Sequence, residues 1–378
     1  MPDEELKKLR LSQRELSLMH KTYKNSDITP YFVDLTTSSP LYIIYTTKQT
    51  NINDFPNIKR HLEKFKEILE NKRECREGKL PWYSLHWARD KKILSSFKIV
   101  TPRWGEEIKP FGLQTGDFYE NSDINLIVPK ENTKEDILYI LGVLNSSLII
   151  NWMIKKAQQK GLTRQSILFK IPVHRIDFDN PKEVKYHDKI VENVKLIREN
   201  MAKLAKYSKF FKERLTKLDF DAPLPDMNTE EIIKSLPPEK IYSLRTHPDI
   251  KIIKPGDFNE NGFYISKIII SKQPTLNGNF SLELKGKNKK SVFIEGASDL
   301  LDLIADVLTN KKGKSWKEIK ETLIPESMTI FNKHKTKIIN NVQNIRSTIS
   351  QLQNEINQIV YRLYGLSNSE IKIIEGKE

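Results

Sequence analysis

Cysteine is almost absent: Cys75 is the only one in 378 residues. No intramolecular disulfide can form and no thiolate cluster is available for zinc or iron–sulfur, a composition that suits a reducing cytosol. Glycine is scarce at 14 residues, and none falls in a G-x-G-x-x-G or phosphate-loop spacing. No H-x-x-x-H, H-E-x-x-H or C-x-x-C occurs, so no recognised metal motif is present. The longest apolar stretch, Tyr139 to Ile154, is interrupted by Asn145, Ser146, Ser147 and Asn151. It falls short of the ~20 residues that span a bilayer. The N-terminus, MPDEELKKLRLSQREL, lacks an apolar signal core. These absences predict a soluble cytoplasmic protein.

What is abundant is positive charge. Lys plus Arg is 63 against 49 Asp plus Glu, a net charge of +14, with a pI near 9.4. Such an excess favours polyanionic partners, nucleic acid before anionic membrane. Hydrophobic residues at 38% support real cores, and the length suits two or three domains.

The pattern along the chain predicts an α+β fold. Residues 1–24 read as an N-terminal linker or helix. Residues 25–180 read as one mixed domain, with strands at 31–35, 41–47 and 97–102 and helices at 58–75 and 134–156. Over 186–218, Ile190, Val194, Ile197, Met201, Leu204, Phe211, Leu215 and Leu218 follow alternating steps of four and three, broken only at Ser208. Over 335–365, Ile338, Val342, Ile345, Ile349, Leu352, Ile356, Ile359 and Leu363 do the same. Two such seams predict long coiled-coil-like helices, paired with each other or packed on their own neighbours. They bracket a small β-rich subdomain, 220–330, with strands at 262–271, 280–286 and 291–296, a turn at Asn277-Gly278 and a helix at 298–308. Residues 366–378 read as a tail.

Two windows carry nucleic-acid chemistry. WYSLHWARDKK (82–92) interleaves Trp82, Tyr83, His86 and Trp87 with Arg89, Lys91 and Lys92; Lys98, Arg103 and Trp104 follow, with no acid from Lys91 to Gly105. Core packing is the competing role for Trp82 and Trp87. From Ile137 to Ile176 there is again no Asp or Glu. Within it Lys155, Lys156, Lys160, Arg164 and Gln165 are the first candidates for DNA contact, because lysines neutralise phosphates while Arg and Gln can pair bidentately with guanine and adenine edges. Arg89, Lys98, Arg103 and Trp104 come second. A nuclease alternative rests on Asp249 with Glu283 and Lys285, two carboxylates for a divalent ion and a lysine beside the attacking water. The same residues also fit a turn and the polar side of an amphipathic strand. A coiled-coil assembly protein is the third reading.

Several segments, in order, resemble the C-terminal specificity domain of type IIG restriction–modification enzymes and related TaqI-like adenine-specific DNA methyltransferases. They are DITPYFVD (27–34), FPNIKRHLEKFKEILENKRE (55–74), WYSLHWARDKKIL (82–94), KIVTPR (98–103), GDFYENSDINLIV (116–128), ILYILGVLNSSL (137–148), FKIPV (169–173) and INQIVYRLYGLSNSEIKIIE (356–375). The L-N-S segment, basic loop and I-P-V are also similar to target-recognition domains of type I specificity subunits. The resemblance covers most of residues 25–375. It implies sequence-specific binding of double-stranded DNA that presents an adenine to a methyltransferase which flips it from the stack. In that family a cofactor pocket and an N-P-P-Y-type motif precede this region. Here the only Pro-Pro lies in Ser235-Leu236-Pro237-Pro238-Glu239, which lacks the Asn or Asp and the aromatic. The expectation is therefore a recognition module, either a fragment or a separate subunit. S-adenosylmethionine would be held by a partner methyltransferase, with no catalytic residue, cofactor or metal in this chain.

Overall fold

Buried acids and short strands organise the first half of the molecule, which a computed structural model describes over residues 1–36, 39–86, 88–103, 110–116, 118–157, 164–271, 279–311 and 313–376, without the side chains of Arg164 and Gln165. The chain forms two units: residues 1–206, 216–222 and 345–378 make unit 1, and residues 207–215 and 223–344 make unit 2. The fold is α+β, as the sequence predicts. Of the residues singled out above, Trp87, Trp104, Lys160 and the Asn277-Gly278 turn lie outside the described residues.

Of the two readings of residues 1–24, linker or helix, the structure has short helices, Asp3–Lys8 and Gln13–Leu16, within unit 1. Met19–Thr22 (β1) is followed by the hairpin Ile28–Thr29 (β2) and Phe32–Val33 (β3), then by Leu41–Ile44 (β4); β1 pairs antiparallel with β4. Glu15 is only 1% exposed. Its carboxylate accepts from Ser12 N at 2.8 Å and from Asn57 N at 2.6 Å. It thereby caps the helix Pro56–Glu63 (α1), whose Pro56 occupies an early position that has no hydrogen bond to lose. The single helix expected over 58–75 breaks into α1 and two short turns, Lys66–Glu70 and Arg73–Arg76. The apolar stripe explains the break: Ile58 is fully buried, whereas Phe65 and Ile68 are 45% and 72% exposed, so beyond Leu62 no core holds the helix together.

A three-stranded antiparallel sheet follows, Lys98–Pro102 (β5), Gly112–Gln114 (β6) and Ile124–Ile127 (β7), in the order β6-β5-β7. Every residue of the central β5 is buried. The apolar stretch forms two helices, Ile137–Leu144 (α2) and Ser147–Ala157 (α3), bent by 57°. Among the described residues no single helix is long and apolar enough to cross a membrane. Arg164–Leu168 (α4) and the long Pro181–Tyr207 (α5) complete this stretch. The expected 186–218 helix thus ends eleven residues early (218 − 207), at the Ser208 break in its stripe. There the Ser208 hydroxyl accepts from Leu215 N at 3.1 Å, and the chain turns through a 3-10 helix into extended Phe211.

Unit 2 contains Ile241–Ser243 (β8) and a four-stranded antiparallel sheet of Lys251–Ile253 (β9), Ile265–Ser271 (β10), Phe280–Gly286 (β11) and Ser291–Gly296 (β12), ordered β10-β11-β12-β9. Leu282 pairs with Ile294 and Leu284 with Val292, all four fully buried. They form the apolar face, against which the helix Ser298–Thr309 (α6) buries Leu301, Ile304 and Leu308. Leu323–Pro325 (β13) pairs with β8. The helix Met328–Leu363 (α7) then begins in unit 2 and ends in unit 1.

In unit 1 the two seams meet, but not as an isolated two-stranded coil. Asn193 of α5 donates to Glu355 of α7 at 3.0 Å. A Cβ added at Gly142 of α2 would lie 2.5 Å from Ile190, 3.1 Å from Val194 and 3.9 Å from Ile356. Glycine is needed there because three helices converge on one point. The expected tail carries the helix Asn368–Ile374 (α8), capped by Ser367, and Asn151 of α3 donates to the Ile374 carbonyl at 3.1 Å.

Candidate nucleic-acid interface

The L-N-S segment proves to be a joint. Asn145 Nδ2 donates to the Phe111 carbonyl at 2.8 Å, and its Oδ1 accepts from Phe111 N at 3.1 Å. This amide clamp fastens the C-terminal end of α2 to the residue preceding β6. One step on, Asn357 of α7 accepts from Ser147 N and donates to its hydroxyl, both at 2.9 Å. Together these pairs hold the bend between α2 and α3 and so aim the basic end of α3. Lys155 is exposed there, and Lys156 lies 5.7 Å from the Trp152 ring centroid, a cation–π contact. Lys160 follows outside the described residues. Arg164 and Gln165 open α4, so the backbone turns into a helix where the cation and amide begin.

The second group separates into three fates. Arg89 is half-buried and donates to the Ile124 carbonyl at 2.5 Å, while Tyr45 donates to the Arg89 carbonyl at 2.5 Å. Burial, only partly offset by Glu120 and Tyr23, draws the guanidinium below its ordinary pKa. Arg103 is partly exposed, and its N–H donates to the Asp123 carbonyl at 2.7 Å. Lys98 departs from the expectation. It is fully buried, 3.4 Å from Glu120, and donates to the carbonyls of Phe118, at 3.0 Å, and Leu94. Burial raises the Glu120 pKa, against the lowering effects of Lys98 and of Tyr23, which donates to it at 3.0 Å. An ammonium committed to the interior cannot touch a DNA phosphate, so Lys98 is a structural residue.

Two concave regions of unit 1 gather segments that lie far apart in sequence. A groove of about 580 Å³ is lined by Arg89, Asp90 and Ile93 on one side and by Phe169, Ile171 and Val173 on the other. It joins the WARDKKIL and FKIPV segments, and Phe169 at its edge is 82% exposed. A cleft of about 880 Å³ brings Thr29 and Pro30 to Pro102, Pro110 and Lys217. The adjoining hairpin turn holds Tyr31 at φ 64, a left-handed conformation that side chains rarely adopt. Complete burial compensates, with hydrogen bonds from its N–H to the Phe111 carbonyl at 2.8 Å and from its hydroxyl to Gln353.

The nuclease constellation does not assemble. Glu283 sits opposite Phe293, accepts from Ser291 at 2.6 Å and lies 3.8 Å from Lys285. The Asp249 carbonyl lies beside Gly296, 3.3 Å from where its Cβ would stand. That is three residues further along β12, or ~10 Å, and one strand to its other side. The two carboxylates cannot converge on one ion, and no metal-binding group of three His, Cys, Asp or Glu occurs among the described residues.

One signal escaped the reading of the sequence. From Ser327 to Asn354 there is no Asp or Glu, and Lys333, Lys337 and Asn340 are exposed on α7. The same acid-free criterion that singled out 137–176 would have found it.

The chain is related to type II restriction–modification methyltransferases over part of its length. It is 31% identical over 153 residues to Type II methyltransferase M.HincII of Haemophilus influenzae, covering 38% of this chain and 30% of that relative. It is also 31% identical over 153 residues to Type II methyltransferase M.HindII of Haemophilus influenzae (strain ATCC 51907 / DSM 11121 / KW20 / Rd), covering 38% and 29%. The match thus spans less than a third of these curated relatives. No protein-family model matches the chain.

Proposed function

We propose that this chain is a DNA target-recognition module of a type II restriction–modification system, reading a sequence in double-stranded DNA for an adenine-specific methyltransferase domain or subunit. The observation that carries this reading is the identity to type II methyltransferases. It is supported by the 40-residue acid-free window (176 − 137 + 1), in which Lys155 and Lys156 close α3 and Arg164 opens α4. Lysines 155 and 156 supply sequence-independent phosphate contacts, and Arg164 and Gln165 read base edges. Methyl transfer belongs to the partner, which holds S-adenosylmethionine; the Ser235–Glu239 segment has neither an Asn or Asp ahead of its prolines nor an aromatic after them.

Duplex binding measured across a set of sequences at ~200 mM salt tests this. Binding that retains a sequence preference and falls steeply with salt supports the module. Arg164→Ala is expected to cost ~1–3 kcal/mol and relax one base position. Equal affinity for every sequence would sink the assignment.

A further inference from the structure

We propose that the outward stripe of α7 within unit 2, formed by Lys333, Lys337 and Asn340, is a second contact surface for duplex DNA, gripping the phosphate backbone without reading bases. The inference rests on the proposed function for its partner but on different residues for its evidence. The three positions are separated by four and three residues, so they share one helix face, with the two lysines ~6 Å apart along the axis. All three are exposed, and among the described residues none offers them a hydrogen bond or a carboxylate. An ordinary solvated helix face looks different: the exposed positions of α5 carry Lys185, Asp188, Glu192, Lys195 and Glu199, cations and acids interleaved.

The partner's chemistry follows from what lies around the stripe. Lys240 and His334 line an adjoining groove of about 580 Å³ with Lys333 and Lys337. Lys240 is engaged by Glu326 at 2.7 Å and His334 by Ser235 at 2.9 Å, which leaves Lys333 and Lys337 as the uncommitted cations of its rim. An acidic protein segment could fill such a groove, but it would need no acid-free helix beyond it. Within unit 2 the helix carries no acid from Met328 to Asn344, 17 residues (344 − 328 + 1) or ~25 Å. Its exposed Asn332, Thr336 and Asn340 can donate to phosphate oxygens, as side-chain amides and hydroxyls do in duplex complexes. A long polyanion matches that length.

The test is fluorescence anisotropy of the full chain on several duplexes between 50 and 200 mM salt, comparing wild type, Lys333→Ala/Lys337→Ala, Lys333→Arg/Lys337→Arg and a control, Lys195→Ala/Lys203→Ala on α5. The expected result is a log–log salt slope shallower by ~1.8 for the α7 alanine pair. The loss should be equal on every duplex, restored by arginine and absent from the control. An unchanged slope, or an equal drop in the control, overturns the second surface; so does an acidic peptide competing for Lys333 and Lys337 while duplex binding stays intact. A wild-type chain that binds every sequence alike, yet loses slope in the α7 pair, overturns target recognition and keeps this surface. No duplex binding by wild type at 50 mM salt removes both.

Discussion

The two long helices share an inward pattern and differ outward. On α5, Ile190, Val194, Ile197, Met201 and Leu204 are buried; on α7, Ile338, Val342, Ile349, Ile356 and Ile359 are. The outward face of α5 alternates cations and acids, whereas from Met328 to Asn354 α7 has no acid at all. Hydrophobic burial dictates the seam in both, since each fully buried aliphatic side chain contributes ~1.5–3 kcal/mol whatever its partner. Nothing in packing dictates the outer face, so a bias there reflects what the helix meets outside its own core.

If that division holds, side chains pointing inward should govern stability and those pointing outward should govern binding. The largest effect is expected at a cation on the wrong side of it. Lys98→Met should destabilise by ~3–5 kcal/mol in urea unfolding, because Glu120 is left buried without the Lys98 ammonium, keeping the hydrogen bond from the Tyr23 hydroxyl. Its duplex salt slope should stay at the wild-type value, and wild-type stability would remove Lys98 from the interior. Next, Ile356→Ala and Ile197→Ala should each cost ~2–5 kcal/mol by the same measurement, through lost burial plus a cavity where the helices converge. A loss under ~1 kcal/mol at Ile356 would break the equivalence of the two seams.

Acid titration sharpens the contrast between carboxylates. Burial alone would raise the Glu15 pKa, but hydrogen bonds from Ser12 and Asn57 hold it down to about 2. Its contribution is therefore present above the ordinary value of 4.5 and lost as pH falls towards about 2. Glu120, raised by burial, has the opposite sign: its contribution is greatest at low pH and lost as pH rises through the raised value. Glu15→Gln should lower neutral-pH stability by ~2 kcal/mol and flatten the acid limb of the unfolding curve. An unchanged limb would show that Glu15 does not cap α1. The smallest effect is expected at Lys337→Ala, within ~0.5 kcal/mol of wild-type stability. A larger loss would give Lys337 a structural role.

Legibility followed the range of the interactions. SVFIEG coincides with β12, and the helix expected at 298–308 with α6 to within one residue, because period-2 and period-3.6 patterns are local properties of the chain. The Ser208 break marked the end of α5, yet a seam resuming at Phe211 concealed it. Of the site, the basic end of α3 could be read directly, since a cation-rich, acid-free run is visible without knowing its neighbours. Lys98 could not, because its partner Glu120 is 22 residues away (120 − 98) and no spacing rule links them.

The order of residues by itself determined the seams, the hairpins of unit 2 and the excess of positive charge, all of which depend on near neighbours and composition. Only tertiary structure decided that Asn145 clamps Phe111, that Gly142 is the meeting point of three helices, and which lysines face water. Those outcomes depend on desolvation and on hydrogen-bond partners brought from distant positions. A lysine whose ammonium is paired inside and one left free outside are the same letter until the chain has folded.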